Sequence, residues 1–309
     1  MAQLTVEPPV KLPRRSGRRL ILGSLGVGAF LAYVWSFHLA DDLIGTNGTS
    51  VLVGYDAGRA TLTGGVMAAL FALASGLAGS FTACNVAAFG VIGPLAERSA
   101  LDARDRVRQG LTRVGWITLG AVALAAAYGA IGATIGTRIP QLSKGNVGAY
   151  PVSLLQSTVI FGVLGVAFVL LGLAAAGLVR DPFGEVGARH PEVPLLVFGV
   201  LIGAFLVGRP FPLFVKLFGY AAARHDALYG AVVFALQILG NMLIVAAVAL
   251  MIALPERSRI RSWLEAVPDR AARVSAATLL VAGSFTFLYW VVRVPSAFGY
   301  GWWPKVPWT

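Results

Sequence analysis

The chain is poor in charge and in cysteine. Of its 309 residues, 13% are charged and 57% are hydrophobic. A soluble domain of this size carries about twice that charged fraction. Cys84 is the one cysteine, so no intrachain disulfide can form and no disulfide framework can staple a small fold together. The three histidines, His38, His190 and His225, are scattered in sequence and form no metal-ligand cluster. Phosphate loops, hydrolase elbows and zinc motifs are absent as well. On these grounds neither a metal nor a cofactor is expected.

Long apolar runs are what the chain has in abundance. About 20 apolar residues cross a bilayer, whereas buried helices of soluble proteins are usually shorter. In lipid each backbone polar group must bond within its own segment, so these runs are helices. The short alternating strands of an outer-membrane barrel do not occur. The pattern predicts an all-α, polytopic integral membrane protein with about seven spans, near residues 20–40, 63–95, 111–136, 153–179, 194–222, 229–254 and 274–292. The first run is full span length and no A-x-A-like site ends it, so it reads as a retained helix rather than a cleaved signal.

This layout gathers most of the 25 Lys and Arg residues on one side. Arg14, Arg15, Arg18 and Arg19 precede the first span, Arg98, Arg104, Arg106 and Arg108 follow the second, and Arg257, Arg259 and Arg261 follow the sixth. By the positive-inside rule the N-terminus is cytoplasmic and the C-terminus extracytoplasmic. Topology thereby accounts for the net charge of +11 without nucleic acid. Residues 1–19 read as a disordered basic tail. The outer loop after the first span carries a turn signal at Asn47-Gly48. In residues 293–309, Trp302, Trp303 and Trp308 suit the membrane interface, where such rings collect.

Two spans are interrupted. The second contains Gly76, Gly79, Ser80, Thr82, Cys84 and Asn85, and the fifth contains Gly208-Arg209-Pro210-Phe211-Pro212. Small, polar and proline residues in mid-membrane predict bent helices packed against protein. Spans two to four and five to seven share one layout, and three spans per unit make the second unit enter from the opposite side. That is an inverted-topology repeat of three helices each, with the working site where the broken helices meet. An alignment across the breaks sets Ala83-Cys84 beside Pro210-Phe211.

Arg209 lies near mid-membrane, where a charge costs roughly 2.5–3.5 kcal/mol, so it must face a cavity or a partner. Cys84 is the candidate thiol, because the thiolate is the reactive form, although a lone cysteine in a membrane helix usually serves only to pack. The repeat brings the two together, making Arg209 the candidate partner of a Cys84 thiolate or of a bound anion. Ser80, Thr82, Asn85, Pro210, Phe211 and Pro212 would line the pocket. Gln237 and Asn241 share one face of span six at i, i+4 spacing and close it or glue helices. Lys216, near a span end, is expected to snorkel to the interface.

The segments from Gly76 to Ala87 and from Gly208 to Pro212 resemble the transmembrane thiol-disulfide carriers that support cytochrome c maturation, the family of CcdA and of the membrane domain of DsbD. The resemblance covers residues 63–292 and leaves 20–62 as an extra N-terminal helix and loop. It implies six spans in two inverted halves, each opening with a helix broken by a Pro-Cys element and a further proline. In this chain Ala83 and Ala87 replace the flanking prolines of the first half. Pro210 is kept in the second, but Phe211 stands in place of the partner cysteine. The family's internal disulfide is therefore impossible here, and Cys84 could act only through a mixed disulfide with a thioredoxin-like or other periplasmic redox partner. Phe211 leaves open whether the chain is an enzyme at all.

Some relatives serve particular periplasmic enzymes, such as methylamine dehydrogenase. The function implied is that of a bacterial cytoplasmic-membrane accessory protein for biogenesis of extracytoplasmic redox enzymes. A transporter of a small ion or metabolite through the same cavity, and a non-catalytic membrane subunit anchoring a redox complex, are the alternatives.

Overall fold

The computed structural model describes residues 14–36, 40, 44–59, 61–80, 103–253, 263, 266–267 and 270–304. The helices are α1 (Arg14–Val34), α2 (Asn47–Val53), α3 (Gly65–Ala78), α4 (Ala103–Ile135), α5 (Val152–Ala175), α6 (Gly184–Arg189), α7 (Glu192–Gly208), α8 (Pro212–Arg224), α9 (Ala227–Ala253) and α10 (Arg270–Phe287). The last continues through a π-helical stretch, Leu288–Arg293, into Val294–Ala297. One small hairpin pairs β1 (Asn146–Val147) with β2 (Tyr150–Pro151).

Among the described residues, five helices are long and apolar enough to cross a membrane: Gly17–Val34, Val107–Ile135, Val152–Ala175, Ala227–Met251 and Arg270–Ala297. The pair α7 and α8 passes the same test together but is bent by 86°. With that pair counted as one span the number is six. Of the expected seventh, the second in sequence, the described residues hold the shorter apolar helix α3, and residues 81–95 lie outside them.

Several expected boundaries shift. The first span ends at Val34, not near Ala40. Asn47-Gly48, expected as a turn, instead opens α2, whose buried Thr49 donates its hydroxyl to the Gly45 carbonyl at 2.8 Å. The third helix starts at Ala103, because Arg104, Asp105 and Arg108 extend it past the apolar run that marked its start.

Glycines set which helices touch. α4 packs on α9, α5 on α10, α7 on α4, and α3 on α9. A Cβ on Gly76 of α3 would press into the Gln237 backbone of α9, and one on Gly240 of α9 into Leu73 and Leu77 of α3. The α4–α7 crossing is built alike: Gly199 of α7 meets the Ile117 backbone of α4, and Gly120 of α4 meets Leu196 and Val200 of α7. α4 and α9 touch at Gly129 and Gly230, and α5 and α10 at Gly165 and Gly283. Small residues let backbones approach this closely where lipid supplies no hydrophobic drive for association.

The extra helix α1 lies against α10. Gly28 seats on Ser284, Trp35 meets Phe285 edge-on at 5.3 Å, and the buried Arg293 donates to the Ala32 carbonyl at the end of α1. Beside the hairpin, Tyr150 and Thr158 share a hydrogen bond of 2.7 Å. Burial pushes the Tyr150 phenol above its usual range, with the Thr158 bond working the other way. An unfolded tyrosine ionises near pH 10. The folded one holds its proton to higher pH, so its contribution is complete below about pH 10 and is lost as pH climbs through the folded value. The thermal midpoint is expected to fall above about pH 10, and Tyr150→Phe to flatten that fall. Identical curves for the two proteins would remove Tyr150 from the explanation.

Candidate functional site

The break between α7 and α8 follows from its two prolines. A residue before proline is pushed out of the helical region. Arg209 precedes Pro210 and has φ −82°, ψ 116°, while Phe211 precedes Pro212 and has φ −65°, ψ 127°. Both are extended. Pro212 then opens α8, where its missing N–H is no loss.

Three side chains absent from the sequence-based site hold this break together. Gln156 of α5 donates through Nε2 to the Val207 carbonyl at 2.8 Å, and Gln141 donates through Nε2 to the Arg209 carbonyl at 3.1 Å. Both converge on Tyr128 of α4, whose hydroxyl donates to Gln141 Oε1 at 2.7 Å and accepts from Gln156 Nε2 at 3.0 Å. The Tyr128 ring stacks on Phe218 of α8 at 5.3 Å. Carbonyls released by a helix break need donors when water is excluded. Amides set in otherwise apolar sequence were the available signal, but nothing in the sequence says which carbonyls they reach. Tyr128→Phe is expected to lower stability by about 1–2 kcal/mol, read as unfolding in detergent. An unchanged midpoint would mean that the network does not secure the bend.

Arg209 is buried at the centre. Its Nη1 donates to the Gly79 carbonyl at 2.9 Å, and Gly79 is the residue that closes α3. The guanidinium carbon stands 4.8 Å from the Phe211 ring centre and 5.3 Å from that of Phe214. A cavity of ≈ 20 Å³ adjoins it, lined by Gly76, Gly79, Arg209, Phe214, Gln237 and Asn241 among others. About 10–15 Å³ of such space holds one water, so the cavity is of one-water size.

The structure places Arg209, Gln237 and Asn241 around this one cavity. Gln237 is 1% exposed, donates through Nε2 to Ser75 Oγ at 3.3 Å, and has a buried Oε1 with no hydrogen-bond partner among the described residues. Ser80 is buried and its hydroxyl donates to the Gly76 carbonyl at 3.1 Å, which points it into its own helix end. Phe211 is fully buried, edge-on to Phe214 at 4.9 Å and packed beneath Gly45. Pro210 is half-buried and Pro212 exposed, so both act on the backbone rather than as walls of the cavity. Cys84, Thr82 and Asn85 lie outside the described residues. Lys216 Nζ donates to the Ala57 carbonyl at 2.7 Å and ties α8 to the loop after α2.

No protein-family model matches the chain, and no curated protein or solved structure matches it. Among the described residues no group of His, Cys, Asp and Glu is placed to hold a metal ion.

Proposed function

We propose that the chain is a bacterial cytoplasmic-membrane accessory protein in the biogenesis of extracytoplasmic redox enzymes, built on a CcdA/DsbD-like inverted repeat. The observation that carries this reading is the pairing of the glycine crossings. Leu73, Gly76 and Leu77 of α3 are spaced as Leu196, Gly199 and Val200 of α7, and each triplet meets the long helix of the other half. Gly76 sits on Gln237 of α9 as Gly199 sits on Ile117 of α4, and Gly240 and Gly120 return the two contacts. Two further pairings, α4 with α9 and α5 with α10, join helices that such a repeat relates to each other. This supports two units of three helices related by an axis in the membrane plane.

In this register Gly76 answers to Gly199. An alignment over the two breaks matches it with Gly203, one turn further along. In the proposed orientation α1 starts in the cytoplasm and the chain ends outside, as its arginines require.

Cys84 follows soon after Gly79, whose carbonyl Arg209 holds. The chemistry proposed is exchange with a thioredoxin-like partner. The Cys84 thiolate attacks one sulfur of the partner's disulfide and releases its other sulfur as thiolate. A thiolate of a second, dithiol redox protein then attacks the Cys84 sulfur and releases the first partner as a dithiol, and the other thiolate of that second protein closes its own disulfide and frees Cys84. With Phe211 at the second family position, the resolving thiol has to come from this second protein.

The test is replacement of Cys84 by Ser in the producing organism. Maturation of the client redox enzyme is expected to be lost while the membrane protein still accumulates. Full maturation in Cys84→Ser would sink the thiol mechanism. Solute uptake that survives Cys84→Ser but not Arg209→Gln would replace it with transport. Co-purification with a large complex, with both changes tolerated, would leave a membrane anchor.

A further inference from the structure

The point where the end of α3 meets the break between α7 and α8 has a consistent polarity that does not depend on the function proposed above. Arg209 closes α7 and bonds the residue that closes α3. The carboxyl end of α3, which carries roughly half a negative charge, therefore meets the guanidinium. The faces of Phe211 and Phe214 lie within cation–π range of the same group, and an aromatic face is its negative part. Across the cavity, Gln237 is almost completely buried and its Oε1, an acceptor, has no hydrogen-bond partner among the described residues.

We infer that this centre is a cation cage filled by the chain's own Arg209 guanidinium, and that small planar cations of the guanidinium class, not anions, are the ligands it accepts. The carbonyl of Gly79, the two ring faces and the Gln237 oxygen all offer negative character. An anion drawn to Arg209 would meet those same groups as repulsion and would have to displace the Gly79 bond.

Truncation of the side chain exposes the cage to a free ligand. Full-length Arg209→Ala, purified in detergent, is titrated with guanidinium chloride and methylguanidinium chloride at low millimolar concentration, with sodium chloride as the ion control and wild type in parallel. The expected result is a saturable rise of about 2 °C or more in the midpoint of Arg209→Ala with the guanidinium salts, none with sodium chloride, and none in wild type. Should Arg209→Ala fail to accumulate, the guanidinium salt is supplied during extraction. Recovery of monodisperse protein with guanidinium but not with sodium is then expected.

Absence of any guanidinium-specific stabilisation or recovery overturns the proposal. So does an anion-dependent stabilisation of wild type, in a chloride, nitrate and sulfate series, that disappears in Arg209→Ala.

Discussion

Gly76→Ala and Gly199→Ala are each expected to cost about 3 kcal/mol or more, at or beyond the upper end for overpacked sites, and to do so alike. A Cβ at either position meets the backbone of the opposing helix, at 2.9 Å from the Gln237 carbonyl carbon in one case and 2.8 Å from that of Ile117 in the other. Backbone cannot rotate away as a side-chain tip can, so the helices must separate and every contact along the crossing loosens. Gly115→Ala in α4 is the control, since nothing lies within 4 Å of the added carbon. It should stabilise slightly, by up to about 1 kcal/mol, because alanine favours the helix. The measurement is the yield of monodisperse protein and its unfolding midpoint in detergent. Equal damage at the two crossings is what two like halves predict. A severe loss at Gly76 with full tolerance at Gly199 would remove the main support for the repeat.

Arg209→Gln carries the second large effect, an expected loss of about 2–4 kcal/mol from a charged hydrogen bond and an uncompensated carboxyl end of α3. Arg209→Lys should lose less, since an ammonium keeps the charge but not the planar fork that bonds a carbonyl while facing two rings. The same variant asks whether the guanidinium also serves Cys84. A cation near a thiol favours its thiolate. If Arg209 acts on Cys84, alkylation of the variant should therefore need higher pH than alkylation of wild type. Coincident alkylation profiles would confine Arg209 to fixing the helix ends and strike out the pairing with the thiol.

The site was partly legible in advance because its loudest signals are local. A charge beside two prolines inside an apolar run names its own position, and Gln237 and Asn241 advertise a shared face through their spacing. Gln141, Gln156 and Tyr128 were missed for the opposite reason. Each is an ordinary residue alone, and only their convergence on the Val207 and Arg209 carbonyls gives them a role. Phe211 was placed at a family cysteine position, but its seat beneath Gly45 joins segments far apart in sequence. The one-turn offset between the break alignment and the contact register has the same origin. Prolines mark where a helix must stop, while glycines mark where it is touched.

The sequence alone determined that apolar runs become helices, since lipid offers the backbone no other partner, and that the chain leaves the helical path at Arg209 and Phe211, since each precedes a proline. Tertiary structure alone decided the 86° turn, the choice of helix partners and the donors that satisfy the opened carbonyls. Local rules fix φ, ψ and periodicity. Which distant surfaces meet depends on the close fit of whole helices, a property that no segment carries by itself.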